Sequence, residues 1–262
     1  MPDYSTHLSV ARKAASAAAE IIGGHYAAHL EARDEAGIDL ELKADNTPVT
    51  RADKEAEAAI HGIISAAFPG HDFLGEETGR SGTGGEFLWL VDPLDGTRSF
   101  VRRYPFFSTQ IALMHQGRIV VGVSCAQVFG ETAWAVRGGG AWLNDRALQV
   151  SSVDSWGDCT LSTGNLATLA RGAGWSALGS LVSQVARNRG YGDFYHYHLL
   201  AAGKLDLVIE SDVNILDIAA LSLIVEESGG RFTDLAGQAP GLATTSVLAG
   251  NAAMWKQARA LL

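Results

Sequence analysis

Between Phe87 and Thr97 the sequence runs Phe-Leu-Trp-Leu-Val-Asp-Pro-Leu-Asp-Gly-Thr, an unbroken apolar run that ends on two aspartates. A short apolar run bounded by Gly-rich sequence predicts a buried strand, and a buried strand needs other layers around it. Asp92 follows directly on that strand, where an α/β sheet commonly builds its site. The sequence predicts a turn there, which Pro93 stiffens and Gly96 allows to pass close to other backbone. Asp92 and Asp95 on such a turn can point the same way.

The rest of the chain supplies the layers. Ser5 or Thr6 is positioned to cap a first helix with Leu8, Ala11, Ala15, Ala18, Ile22 and Tyr26 at helical spacing. After a polar stretch from Glu31 to Asn46, Thr50 opens a second helix with Ala52, Ala56, Ala59, Ile60, Ile63 and Ala67 on one face. Alternation over Phe107–Leu113 and apolar runs at Ile119–Val128 and Thr132–Val136 predict antiparallel strands, with turns at Gln116-Gly117 and Phe129-Gly130. The texture changes near residue 150. Gly164–Asn188 and Phe194–Ala202 are expected as helices, Leu205–Ile209 as a strand, Ile218–Ser228 as a helix, and Ser246–Leu248 as a short strand. Asn251 caps a final helix. The order predicts a layered α/β protein of two intimately packed halves, 1–148 and 149–262.

Charge narrows the possible partners. Among 262 residues, 20 Lys and Arg face 29 Asp and Glu, for a formal charge of −9. That lacks the basic footprint of a nucleic-acid binder and suits a chain that gathers carboxylates around cations. The uncharged window Leu235–Trp255 contains Gly, Pro, Gln and Asn, so no membrane partner is expected. Two cysteines, Cys125 and Cys159, make neither a disulfide framework nor a zinc spacing, and the N-terminus lacks a signal-peptide pattern. A cytoplasmic protein is expected.

Gly75-Glu76-Glu77 adds two acids to Asp92 and Asp95, and oxygen ligands in that number favour Mg²⁺ over zinc. Thr50-x-x-Asp53 reads as a capping box whose carboxylate could also orient a hydroxyl or water. Asp217, ahead of Ile218-Ala219-Ala220, reads as an acid favoured at a helix N-terminus. His25 and His29, and His196 and His198, are expected in surface or packing roles.

These residues resemble the inositol monophosphatase family of Mg²⁺-dependent, lithium-sensitive phosphatases. The resemblance rests on Gly-Glu76-Glu77, Trp-Leu-Val-Asp92-Pro-Leu-Asp95-Gly-Thr97 and Asp217-Ile-Ala-Ala…Glu-Glu-Ser-Gly-Gly230, supported by Lys43-x-Asp45 and Pro-Val-Thr50-x-Ala-Asp53. It implies a five-layer αβαβα sandwich, a homodimer, and hydrolysis of a small-molecule phosphate monoester with two or three Mg²⁺ per site. By motif position, Glu76, Asp92, the carbonyl of Leu94, Asp95 and Asp217 would hold metal. Glu77 would support them from behind. Asp53, Thr97 and Glu76 would be catalytic, the first two positioning the attacking water, and the Gly96 and Thr97 amides would face the phosphate. That division of labour suits a charge-rich transition state.

Within the family, Arg189-Gly-Tyr-Gly192-Asp193-Phe-Tyr-x-Tyr197 through Asp206-Leu-Val-Ile-Glu210 is similar to the histidinol-phosphate phosphatases of histidine biosynthesis. Asp193 and Glu210 would then bind the cationic substrate, while Asp193 could equally cap the helix at Phe194. The competing substrates are inositol-1-phosphate or a broad set of sugar phosphates. A regulatory or binding member without turnover is the alternative of another class, and the intact carboxylate set argues against it. Asn214-Ile-Leu216-Asp217 departs from the Trp-Asp common in inositol phosphatases. Arg102, Arg103 and His196 match no motif.

Overall fold

The computed structural model describes residues 3–32, 41–42 and 48–262, so Lys43 and Asp45 lie outside the described residues. The first helix, α1 (Ser5–Glu31), buries Ala11, Ala14, Ala15, Ala18 and Ile22. Its N-cap is Tyr4, and the Ser5 amide donates to Asp3 Oδ1 at 2.9 Å. Ser5 and Thr6 are therefore already inside the first turn and do not cap it. A two-residue ladder pairs β1 (Glu41–Leu42) with β2 (Pro48–Val49), and α2 (Arg51–Ala67) follows, burying Ala52, Ala56, Ile60 and Ile64. The small alanine faces let the two helices lie side by side over one face of the first sheet.

That sheet contains β3 (Asp72–Gly75), β4 (Gly79–Ser81), β5 (Phe87–Asp95), β6 (Ser108–His115), β7 (Arg118–Ala126), β8 (Glu131–Val136), β9 (Ala141–Leu143) and β10 (Arg146–Ala147). Its order is β10-β9-β8-β7-β6-β5-β3-β4, a meander from β5 to β10 with β3 parallel to β5. The β6–β7 hairpin turns at Gln116 and Gly117, with φ of 50° and 77°, as the twist of a two-residue turn requires. A short helix, α3 (Thr97–Val101), separates β5 from β6. One expectation is corrected here: Asp92-Pro93-Leu94-Asp95 is not a turn after the strand. The strand continues through Asp95 with its register shifted between Asp92 and Asp95, and the bulge turns both acids toward one end of the sheet.

The second sheet is built from β11 (Thr160–Gly164), β12 (Arg187–Arg189), β13 (Leu207–Ser211), β14 (Arg231–Thr233) and β15 (Ser246–Gly250), in the order β12-β11-β13-β15-β14. Helices α4 (Leu166–Arg171), α5 (Trp175–Val182) and α8 (Ala252–Leu261) cover its outer face around Leu161, Leu178, Leu207 and Met254. The long helix expected over Gly164–Asn188 is thus a strand end, two short helices and an edge strand. Gly172 and Gly174 interrupt it, and Gly172 takes an extended C-cap conformation. Asn251 caps α8 as expected, accepting from the Met254 amide at 2.9 Å.

Between the sheets lie α6 (Asp193–Ala201) and α7 (Ile215–Glu227), in one core cluster that joins Leu88, Leu90 and Ala112 of the first sheet to Val208, Val247 and Ala249 of the second. The layers are helix, sheet, helix, sheet, helix, the five-layer sandwich that the resemblance implies. Gly122 sets the spacing of the middle layers, because a Cβ there would stand 2.7 Å from the backbone oxygen of Ala220 on α7. Gly122→Val should therefore lower the free energy of unfolding by about 2–3 kcal/mol in urea titrations. A loss below roughly 0.5 kcal/mol would mean that helix and sheet separate without cost.

Candidate active site

The bulge of β5 and the N-terminus of α7 meet at the end of the first sheet. Ligand oxygens of Asp92, Asp95 and Asp217 lie within 4.8 Å of one another. Asp92 and Asp217 are oriented by neighbours in their own segments, and Asp95 by the Ser108 hydroxyl at 3.3 Å. Asp92 Oδ1 accepts the Leu94 amide at 2.9 Å, while Asp217 accepts the Asn214 amide at 3.0 Å and the Asn214 side chain at 2.7 Å. Asn214-x-x-Asp217 is thus a capping box, the counterpart of Thr50-x-x-Asp53 at the start of α2.

Burial and mutual repulsion load this cluster. Asp92 is raised well above the usual carboxylate value, by burial first and then by the charges of Glu76, Asp95 and Asp217 and a hydrogen bond with Glu76. Asp95 is raised by burial and by the charges of Asp193, Asp217 and Glu210, against a hydrogen bond from Ser108. Burial pushes Asp217 up to about 7, against the hydrogen bonds from Asn214. Crowded carboxylates without a histidine or cysteine are a donor set for a hard divalent cation, which would cancel the repulsion. The structure therefore brings together Glu76, Asp92, Asp95 and Asp217.

Asp53 and Thr97 also meet. Thr97 Oγ1 lies 3.1 Å from Asp53 Oδ1 and 3.0 Å from the Leu94 carbonyl, so its proton can serve either acceptor. Asp53 Oδ2 accepts the Thr50 amide and hydroxyl at 2.7 and 2.6 Å, so the helix cap and the site share one carboxylate. Burial raises its pKa against those hydrogen bonds. Gly96, with φ of 90°, opens α3 where a Cβ would stand 2.5 Å from the Phe106 carbonyl. Only glycine brings the Gly96–Thr97 backbone this close.

Glu57 supplies a support that the sequence reading missed. One turn beyond Asp53 on α2, it is fully buried and accepts the Glu77 amide at 2.9 Å and the Thr78 amide and hydroxyl at 2.7 and 2.6 Å. It thereby holds the Gly75–Thr78 segment that carries Glu76. The i, i+4 spacing of Asp53 and Glu57 on an alanine-rich face was the available signal.

A cavity of about 120 Å³ runs from Asp95 and Asp217 to Asp193, Tyr197 and Glu210. Glu210 accepts the Tyr197 hydroxyl at 2.6 Å and meets His196 Nε2 at 3.1 Å. Burial works against its charge, but His196 and the two hydrogen bonds outweigh that and hold its pKa below the ordinary value. A side chain on Gly164 would collide with it. Asp193 does not cap α6, because Gly192 occupies that position. Asp193 starts the helix with φ of 44°, and its carboxylate accepts no hydrogen bond among the described residues. Burial and the neighbouring Glu210 push its pKa up to about 6, against His196.

His196 and His198 are not surface residues; both are buried in polar contacts. His25 pairs with Glu55 of α2, and His29 meets the Val101 carbonyl at 3.0 Å. Arg103 is structural, donating to the Ala32 carbonyl at 3.0 Å. Leu216 packs into the core between the sheets.

The chain matches the inositol monophosphatase family over residues 3–262. It belongs to that family. It is 37% identical to a histidinol-phosphatase of Streptomyces coelicolor, over 96% of this chain and 94% of that one. It is also 36% identical to an inositol-1-monophosphatase of Mesorhizobium japonicum, over 82% of each. Its fold superposes on the extragenic suppressor protein suhB of Bartonella henselae with a TM-score of 0.88 at 32% identity, covering 98% of both chains. The family is metal-dependent, and this member is a phosphoric monoester hydrolase. No helix among the described residues is long and apolar enough to cross a membrane.

The cluster carries a pH signature. Asp217, raised from 3.8 to about 7, favours the metal-free fold below its ordinary pKa and loses that contribution as pH rises through about 7. A divalent cation takes over the proton's place. The Mg²⁺-induced rise in Tm should thus be larger at pH 8 than at pH 5.5, with an apparent Kd at least roughly tenfold weaker at the lower pH. A thermal shift equal at both pH values would remove these carboxylates from the ligand set.

Proposed function

We propose that this phosphatase hydrolyses L-histidinol phosphate to L-histidinol and phosphate with Mg²⁺ as its metal. The observation that carries the reading is the second acidic pair in the same cavity, Asp193 and Glu210, beyond the metal-type cluster. A divalent cation neutralises the cluster but leaves this pair, and a negative pair at the far end of a phosphate site favours a cationic alcohol over a neutral polyol. The histidinol-phosphatase of S. coelicolor, so named and similar over nearly the whole chain, supports the same choice.

Glu76, Asp92, the Leu94 carbonyl, Asp95 and Asp217 would hold two or three Mg²⁺, with Glu77 behind them. When bound, the metal supplies charge neutralisation for the phosphoryl oxygens and acidifies a coordinated water. The chain's own chemistry is the Asp53–Thr97 dyad. A water against Thr97 Oγ1 gives that oxygen a proton as Thr97 passes its own to Asp53 Oδ1. The water oxygen forms the new P–O bond, the bond to the alcohol oxygen breaks, and that oxygen takes its proton from solvent. The raised pKa of Asp53 suits it to receive a proton. The Gly96 and Thr97 amides face the phosphate.

Thr97→Ala should lower kcat by roughly 100-fold or more with the fold retained, since it removes the hydroxyl through which Asp53 acts. An unchanged kcat at saturating Mg²⁺ would reduce Thr97 to a turn residue.

Asp193→Asn tests the substrate. Asparagine tolerates a positive φ and no cap is lost, so stability should hold. The lost charge-assisted contact, about 1.5–3 kcal/mol, should cut kcat/KM for histidinol phosphate roughly 10- to 150-fold. Hydrolysis of p-nitrophenyl phosphate should change little. Equal losses on both, with inositol-1-phosphate the better natural ester, would assign the chain to the inositol phosphatases instead.

A further inference from the structure

A buried polar file leads away from the site, from Asp95 to Glu131. Ser108 Oγ donates to Asp95 Oδ2 at 3.3 Å. Gln110 Nε2 donates to Ser108 Oγ at 2.8 Å and to Ser124 Oγ at 3.0 Å. Ser124 Oγ lies 2.9 Å from His198 Nε2, and His198 Nδ1 lies 3.0 Å from Glu131 Oε2. Ser108, Gln110, Ser124 and His198 are all buried, on three different elements.

Counting protons gives this file a direction. The Gln110 amide spends one N–H on each serine, so each serine's own proton is left to point outward. Ser108 sends its proton to Asp95. Glu131 Oε2 can only accept, so the imidazole proton sits on Nδ1 facing it, and in the neutral ring Nε2 is left as the acceptor to which Ser124 donates. The two end carboxylates, Glu131 and Asp95, therefore set the donor order between them. Phe194 packs edge-on against the His198 ring with centroids 5.1 Å apart, which fixes its plane.

Gln110 also shows what the direction prevents. Its Oε1 is buried and has no hydrogen-bond partner among the described residues. Turning the amide over would give that oxygen two hydroxyl donors, a local gain. Both serine protons would then point inward, and Asp95 would face a lone pair of Ser108 where it now receives a hydrogen bond. The acceptor that His198 offers Ser124 opposes this reversal, since Ser124 cannot donate to both.

We infer that His198, backed by Glu131, is a positioning residue for Asp95, acting through Ser124, Gln110 and Ser108. The inference rests on Asp95 being a metal ligand, as proposed above. Outer partners of this kind change metal affinity by roughly 10- to 100-fold when removed.

The test is a double-mutant cycle on the full chain, read as the Mg²⁺ concentration for half-maximal thermal stabilisation and for half-maximal activity. His198→Phe keeps a ring but removes the acceptor, and should raise both half-saturation values roughly tenfold. His198→Gln can return an acceptor to Ser124 and should recover most of that loss. In a Ser108→Ala background, where the file no longer reaches Asp95, His198→Phe should add almost nothing. Ser124→Ala cuts the same link with a smaller side chain and should behave alike if His198→Phe folds poorly. Losses that add independently in the Ser108→Ala background, or a half-saturation unchanged in folded His198→Phe or Ser124→Ala, would overturn the relay. Asp95→Asn separates the two levels. If it leaves Mg²⁺ binding intact, the ligand assignment fails; if it abolishes binding while the His198 and Ser124 variants bind normally, the relay alone fails.

Discussion

Asp92, Asp95 and Asp217 hold their carboxylates within 4.8 Å of one another at the buried end of the first sheet, and burial and repulsion raise the pKa of each. An arrangement that repels itself persists only where the surrounding structure fixes it. Two devices do so. The bulge in β5 bonds Asp92 to the Leu94 amide of the same strand, and the capping box at α7 bonds Asp217 to Asn214. Both are backbone devices in well-packed elements. The small Gly122–Ala220 contact lets α7 lie against the sheet, close enough for Asp217 to meet the acids of β5.

The same economy recurs in the surrounding residues. Asp53 closes the N-terminus of α2 with one oxygen and meets Thr97 with the other. Glu57, one turn later, anchors the segment that carries Glu76. Glu210 is fixed by Tyr197 and His196, two residues of the helix that begins with Asp193. Helix α6 therefore sets both members of the second acidic pair, and through His198 it also reaches the file behind Asp95. On the proposed reading, substrate recognition and metal orientation share one central helix.

Where a residue's role is set by its neighbours in sequence, the chain could be read directly. The apolar run into Asp92, the alanine stripes of α1 and α2, and the Thr50-x-x-Asp53 box were all legible, because their periods and caps are local. The stretch from Gly164 to Asn188 was misread as one helix although Gly172 and Gly174 stood in it. The strand β11 went unseen, because Thr160, Ser162 and Thr163 are polar and nothing local marks them as interior. The sequence left His196 and His198 open between surface and packing roles for the same reason: a polar residue is buried only if distant partners await it.

The sequence by itself determined the family, the layered architecture and the identity of the acids, since each is carried by residue type at short, fixed spacing. Tertiary structure alone decided that Asp193 is free of a capping role, that Glu57 holds the Glu76 segment, and that Gln110 faces two serines. Those facts depend on which strands and helices become neighbours across tens of residues. Hydrogen-bond direction and electrostatic repulsion act over a few ångströms of space, whatever the separation along the chain.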